Sequence, residues 1–254
     1  MDGMCIIAIC KERNLTEEEF KNCFKHNDDG FGFGFGHNNH TYALKGYMKE
    51  DEAMEVYFKT HKPVGLHVCH FRKISSGLKI PELTHPFVMS KASPSFQLYN
   101  GDENLLFHNG HVTAWTSLMM TIGIVHGIPT GELSDTRILA MALAHAGNHA
   151  AMLRHIDGKF AVVGKNSKVQ YWGDFEKEKG ILFSNRTFKE YGTSYVGAFS
   201  GYDDDMCGYG MGGYNGARWN RNKVDKDKET GLLESGGTRS AGRSYALNGD
   251  GGLA

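Results

Sequence analysis

The chain has 254 residues, 28 Lys plus Arg against 29 Asp plus Glu, 33 glycines and 5 prolines. A formal charge of −1 gives no global field that would argue for nucleic acid, a membrane surface or an acidic ligand, and the length suffices for one large domain or two small ones. Five cysteines (Cys5, Cys10, Cys23, Cys69, Cys207) are odd in number and irregularly spaced, so neither a disulfide framework nor a zinc CxxC pair is expected, and a reducing, cytoplasmic compartment is the default.

The start, MDGMCIIAICKERN, has no basic segment ahead of a short apolar run, so it does not read as a secretion signal, and no stretch approaches the ~18 apolar residues of a membrane span. Cys5 to Cys10 is rich in β-branched residues and predicts a buried strand. Thr16 with Glu19 forms a capping box ahead of Phe20, Cys23 and Phe24, which predicts a helix. Asp29 to Gly36, DGFGFGFG, alternates Phe and Gly with period two. That predicts a strand packed on one face and closely approached on the other.

Glu50 to Thr60 places Met54, Tyr57 and Phe58 at helical spacing, and Gly65–Phe71 and Asn104–His108 read as strands ending in polar clusters. Ser134 or Asp135 can cap a helix over Thr136–Ala146. KFAVVG and KVQYWG then predict two strands joined by a turn at Lys165–Ser167, and Ile181–Ser184 a last short strand. Strands come in runs separated by runs of helix, which favours an α+β sandwich over a doubly wound parallel sheet.

Residues 201–254 hold 13 of the 33 glycines, no proline, and 7 basic against 8 acidic residues, leaving the first 200 residues balanced at 21 and 21. The stretch GYDDDMCGYGMGGYNGARWNRN has too little apolar content to offset its ordering entropy and is expected to be a flexible tail. Its Tyr, Arg and Gly residues could contact RNA by stacking and charge, but its net acidity favours a passive linker.

Candidate chemistry gathers where strands should end: HFRKISSG (His70–Gly77), THP (Thr84–Pro86), FHNGH (Phe107–His111) and SDT (Ser134–Thr136). Arg72 could grip a carboxylate and Asp135 an ammonium, while Asn109 and the Gly110 N–H could stabilise an oxyanion. Taken singly, each has an ordinary reading as a solvated arginine, a hairpin Asn-Gly or a helix cap. His67/His70 and His108/His111 are each spaced i, i+3, which on a strand points the two side chains to opposite faces, so no metal site is expected from them. Cys5 reads as a small buried hydrophobe unless a base lies near it in space. DGFGFGFG fits neither of the common glycine-rich phosphate loops.

In order, MCIIAI, NDDGFGFGF, HFRKISSG, THPFV, HNGHV, SDTRILA and KFAVVG…ILFSN resemble the class II (N-terminal nucleophile) glutamine amidotransferase family over roughly residues 4–190. The chain also looks like the stand-alone amidotransferase-like proteins of tailed phages, which would put it in a host cytoplasm. The resemblance implies a four-layer α-β-β-α sandwich. It implies Cys5 as the nucleophile, with its own free α-amino group as general base, and Asn109 and Gly110 as the oxyanion hole. Arg72 would bind the substrate α-carboxylate and Asp135 its α-ammonium, with His85 and Ser75 as further substrate-site residues. An α-amine titrates near ~7.7–8.0, which suits it to take a proton near neutral pH.

The implied organisation is an N-terminal extension (residues 1–4) removed to free Cys5, an amidotransferase domain (5–198) and the tail (199–254). The implied reaction is hydrolysis of the glutamine side-chain amide, with no metal or cofactor, and delivery of ammonia to a separate acceptor synthase. An amidase acting on another amide, and a catalytically silent binding subunit, are the alternatives. The chain departs from the family pattern at Lys73 and Ser76, where an aromatic residue and a histidine are usual, and at Arg137, where an acid is common.

Overall fold

The computed structural model describes residues 5–63, 65–75, 77–127, 131–189 and 230–234. Strand β1 (Ile6–Cys10) is buried at every position, and helix α1 (Glu17–His26) starts at the expected capping box: Thr16 accepts from the Glu19 N–H, and the Glu19 carboxylate accepts from the Thr16 N–H. The Phe–Gly segment is β2 (Phe31–His37), paired with β3 (His40–Tyr47), an element that sequence pattern alone did not predict. Its alternation has a direct physical basis. Phe31 and Phe33 enter the core beneath α1, while the glycines face close neighbours. A Cβ on Gly32 would lie 2.1 Å from the His85 carbonyl oxygen, and one on Gly36 would lie 2.3 Å from that of Gly164.

Helix α2 (Glu50–Glu55) continues into a π turn over Val56–Thr60, so the expected helix is present with a wider last turn. Strands β4 (His67–Phe71), β5 (Phe87–Val88), β6 (Leu98–Gly101) and β7 (Leu105–Asn109) follow. Helix α3 (Trp115–His126) was not foreseen: it is apolar around most of its circumference, and its N-cap Ala114 offers no side-chain bond. Helix α4 (Asp135–His145) is capped by Ser134, and α5 (His149–Arg154) by Asn148. Strands β8 (Lys159–Val163) and β9 (Lys168–Trp172) form the expected hairpin, followed by β10 (Glu176–Glu178) and β11 (Ile181–Phe183).

Two sheets result, one with the order β10-β11-β1-β4-β2-β3-β6. The other has the order β12-β9-β8-β7-β5, where β12 is Thr230–Glu234. Every pairing among the described residues is antiparallel, which matches the α+β expectation. Ile7, Ile9, Ala43 and Val68 of the first sheet pack with Leu105, Phe107, Ala161 and Val163 of the second. The opposite face of the first sheet packs on α1 and α2, and that of the second on α4 and α5. No described helix is long and apolar enough to cross a membrane.

Most of the segment expected as a flexible tail, and the 1–4 extension, lie outside the described residues. Within the tail the expectation is corrected for Thr230–Glu234, which pairs with β9 as an edge strand. Leu232 and Leu233 supply there the apolar pair that the glycine-rich composition of the tail obscures.

Candidate functional site

A small cleft opens where the C-terminal ends of β4 and β7 meet the start of α4. It is lined by Cys5, Arg72, Lys73, Ser75, Leu83, His85, His108, Gly110, Ser134, Asp135 and Thr136. Six of the seven site residues expected from sequence therefore converge from five separate segments. Asn109, the seventh, is fully buried one residue behind Gly110.

Cys5 is 9% exposed, immediately before β1. Its Sγ lies 3.2 Å from both the Lys73 N–H, which donates to it, and the Lys73 carbonyl, which accepts from the thiol. Burial pushes the thiol up to about 11, against the lowering effects of the Lys73 N–H and the Arg72 charge. The Cys5 carbonyl accepts from Asn185 Nδ2 at 2.8 Å, which fixes the backbone that presents the sulfur.

The loop carrying Arg72 and Lys73 is tied to the NDDG turn. The Asp29 N–H donates to the Arg72 carbonyl (3.0 Å), the Arg72 N–H to the Gly30 carbonyl (2.8 Å), and the Ile74 N–H to Asp29 Oδ2 (2.8 Å). Lys73 and Lys79 add ion pairs to Asp28 and Asp29 at the rim. Arg72 Nη1 donates to the Leu78 carbonyl at 2.8 Å, and burial lowers the guanidinium from its ordinary value. At the opposite wall Asp135 begins α4, where a carboxylate is favoured by the helix N-terminus. Its Oδ2 accepts from the Val112 N–H (3.0 Å) and its Oδ1 from the Thr136 N–H (2.8 Å), and His111 Nδ1 stands 3.5 Å away at the exposed rim. Arg137 faces away from the cleft, donating to the carbonyls of Ser93, Ala92 and Glu132. Its place in the sequence therefore leaves Asp135 unobstructed.

Three buried histidines form the floor and its backing: His85 and His108 line the cleft, and His70 packs behind His85. His70 and His85 stack at 3.8 Å, and His70 Nε2 donates to the His108 carbonyl at 3.0 Å. His108 stacks on Phe160, and its Nδ1 is 2.9 Å from Thr136 Oγ1. Burial, added to the neighbouring positive groups around His70 and His85, lowers His70 to about 3, His108 to about 4 and His85 well below its usual value, so all three are neutral. Behind His85, Lys45 Nζ donates to the carbonyls of Glu82 and Thr84 and sits over the Phe87 ring; burial lowers it to about 7.

Gly110 adopts φ +152°, and a Cβ there would come within 2.8 Å of His108 Nε2, so the position requires glycine. Asn109 Nδ2 donates to Ser184 Oγ at 2.8 Å, and Ser184 Oγ also accepts the Ile7 N–H at 2.8 Å. Ser184, Asn185, Thr136 and the backbone of Lys73 are site elements to which sequence reasoning assigned no role. The segments SDT and ILFSN contained three of them, but only pairing across the sheets shows what they touch. The spacing of His67 and His70 behaves as expected, placing them on opposite faces of β4: His67 meets the Tyr57 hydroxyl in the core, and His70 reaches the His108 carbonyl behind the cleft.

The arrangement thus sets a thiol, two backbone-anchored charged groups of opposite sign and a glycine around one small cleft. The architecture is similar to that of two solved structures. One is the glutamine phosphoribosylpyrophosphate (PRPP) amidotransferase from B. subtilis complexed with ADP and GMP, with TM-score 0.52 and 15% identity. The other is described as the allosteric regulatory enzyme of purine biosynthesis, with TM-score 0.50 and 15% identity. Each match covers 70% of this chain and 41% of the other, so the likeness spans about two-fifths of those longer chains and is one of fold. No protein-family profile and no curated protein matches the sequence.

Proposed function

We propose that the chain is a class II glutamine amidotransferase-type amide hydrolase. The observation that carries this reading is the convergence of Cys5, Gly110, Arg72 and Asp135 on one small cleft. In this reading Arg72 holds the substrate α-carboxylate, Asp135 its α-ammonium, and Ser75 and His85 shape the space between. The layered packing of helices on the outer faces of two apposed sheets supports the four-layer sandwich of the N-terminal-nucleophile fold.

The chemistry follows from these groups. The α-amine of Cys5, once freed from residues 1–4, takes the thiol proton. The sulfur attacks the side-chain amide carbon of glutamine, and the resulting oxyanion accepts hydrogen bonds from the Gly110 N–H and from Asn109 Nδ2. Asn109 supports this role after a half-turn of its carboxamide. Oδ1, which has no partner among the described residues, would then accept from the Ser184 hydroxyl, and Nδ2 would be released. The C–N bond breaks, ammonia leaves with the proton returned by the ammonium, and water cleaves the γ-glutamyl thioester by the same route. Neutral floor histidines keep positive charge from competing with the α-ammonium for Asp135. Ammonia would pass to a separate acceptor synthase in the cytoplasm, as the resemblance to phage-type amidotransferase-like proteins implies.

One feature favours the silent binding subunit instead: while residues 1–4 precede it, Cys5 has no free α-amine to serve as base, and burial pushes its thiol up to about 11. The two readings separate on chains beginning at Met1 and at Met4, treated with a diazoketone analogue of glutamine and analysed by intact mass, with glutamate release measured in parallel. Labelling of Cys5 and turnover in the chain that exposes Cys5 are the expected results. A folded chain with a free Cys5 amine, unlabelled and without turnover, would overturn the enzyme reading.

A further inference from the structure

On the face of β1 and β4 turned towards α1, away from the cleft, the side chains of Cys10, His67 and Cys69 meet, with their ligand-type atoms all within 4.8 Å of one another. All three residues are fully buried. The register explains the meeting: Cys10 pairs directly with His67 and Ala8 with Cys69, so the two sulfurs lie diagonally on one face. Their surroundings are aromatic, with Phe20, Phe31 and Phe71 in the same core. The reaction proposed at Cys5 uses none of them.

The imidazole is oriented as metal-binding histidines are. His67 Nδ1 lies 2.7 Å from the Gly65 carbonyl and donates its proton there, which leaves the Nε2 lone pair facing inward. Tyr57, brought in by the π turn, places its hydroxyl 2.9 Å from that Nε2 while accepting the Leu15 N–H at 3.1 Å.

We propose that Cys10, His67 and Cys69 hold one zinc ion through two thiolates and Nε2, with the Tyr57 oxygen in the fourth place. Sulfur donors exclude the hard cations calcium and magnesium. Two thiolates neutralise a divalent ion, whereas a monovalent copper ion would leave a net negative charge among phenylalanines, which is costly in an apolar core. Bond lengths of ~2.3 Å to sulfur and ~2.0–2.1 Å to nitrogen put the two sulfurs and Nε2 roughly 3.5–3.8 Å apart in a tetrahedral site, so they draw in from separations of up to 4.8 Å, while the Tyr57 oxygen moves out from 2.9 Å to ~3.3 Å from Nε2. Binding releases the two thiol protons and pins the end of β1 to β4 and to the π turn. A site with no solvent exposure takes its metal as the chain folds.

The test measures metal content in the full chain, isolated under reducing conditions and also refolded with zinc or with cobalt(II) as a spectroscopic probe. One equivalent per chain is expected to survive a chelator wash, and the cobalt form is expected to show sulfur-to-metal charge transfer and intense tetrahedral visible bands. Cys69→Ala and His67→Gln should lower retained metal at least tenfold, while Cys23→Ser, Cys207→Ser and Cys5→Ala retain it. The last variant separates this site from the reading of Cys5, because a catalytically dead chain should still bind zinc. Less than a tenth of an equivalent in both the isolated and the zinc-refolded wild-type chain would overturn the proposal. So would a Cys10–Cys69 disulfide in the isolated chain, or metal retained unchanged in Cys69→Ala and His67→Gln. The wild-type measurements decide the matter even where a variant fails to fold.

Discussion

Asn109 Nδ2 and Ser184 Oγ stand 2.8 Å apart at the junction of the two sheets, although 75 residues separate them in sequence. The same hydroxyl oxygen accepts the Ile7 N–H, and the Ser184 N–H donates to the Ile7 carbonyl. One serine thus couples the strand that follows Cys5 to the residue proposed to hold the oxyanion.

Ser184→Ala should therefore leave the buried Ile7 N–H unpaired and the Asn109 carboxamide unanchored. The expected outcome is a loss of about 1–3 kcal/mol in stability. In glutamine hydrolysis kcat should fall by about 10-fold or more with KM little changed, because the oxyanion contact is made only after attack. Urea unfolding and steady-state kinetics check the two halves separately. A KM increase at unchanged kcat would count against this role.

The two ends of the bound zwitterion should titrate independently of the chemistry. Arg72→Lys shortens and narrows the cation, and Asp135→Asn removes the charge while keeping most of the hydrogen-bonding shape. Each should raise KM by about 10-fold or more, since removing a charged hydrogen-bonding partner costs about 1.5–3 kcal/mol. Covalent labelling at saturating concentration should survive in both. Asp135→Asn also weakens its carboxylate's contacts with the Val112 and Thr136 N–H groups, so its unfolding midpoint should fall modestly as well.

Gly32→Ala tests why the Phe–Gly strand alternates. The added methyl would meet the His85 carbonyl oxygen at 2.1 Å, the Lys45 Cβ at 2.7 Å and the Leu44 carbonyl at 2.9 Å. Two of the three are backbone atoms, which do not rotate away. Overpacking of this kind costs about 1–3 kcal/mol or more. The displaced segment carries His85 into the cleft, so ligand affinity should fall together with the thermal midpoint.

The floor histidines predict acid sensitivity. His70 at about 3, His108 at about 4 and His85 well below its usual value are all depressed relative to the unfolded chain, where histidine titrates near ~6.5. Below pH ~6.5 the unfolded chain binds protons that the folded chain refuses. The stabilisation is therefore complete above that pH and is lost as pH falls towards the folded values. The slope approaches ~1.4 kcal/mol per pH unit for each histidine, and all three contribute between about pH 6 and pH 4.5. Urea midpoints at pH 7, 6 and 5 should fall steeply, and His85→Gln should flatten the slope.

Much of the fold was legible wherever residue spacing alone decides which side is buried. Thr16 and Glu19 announce α1, the Phe–Gly alternation announces β2, and Ser134 announces α4. Strand β3 was hidden because HTYALKGY mixes polar and apolar residues whose burial depends on two neighbouring strands. Helix α3 was hidden because WTSLMMTIGIVH lacks a polar face and a capping side chain. Within the cleft, the order of motifs anticipated Cys5, Arg72, Ser75, His85, Gly110 and Asp135, which face a common space. It assigned nothing to Ser184 or Asn185, since a serine and an asparagine after a short strand have no distinguishing local pattern.

The sequence by itself thus determined the local elements and the chemical types available, because caps, periodicity and glycine placement act over a few residues. Only the tertiary structure decided which side chains meet. Pairing β1 with β4 brings the Lys73 N–H to the Cys5 sulfur on one side of the sheet and Cys10 to His67 and Cys69 on the other. The irregular cysteine spacing that argued against a metal centre carries no such meaning once two strands lie side by side. Register then fixes the distance between sulfurs, and sequence separation does not.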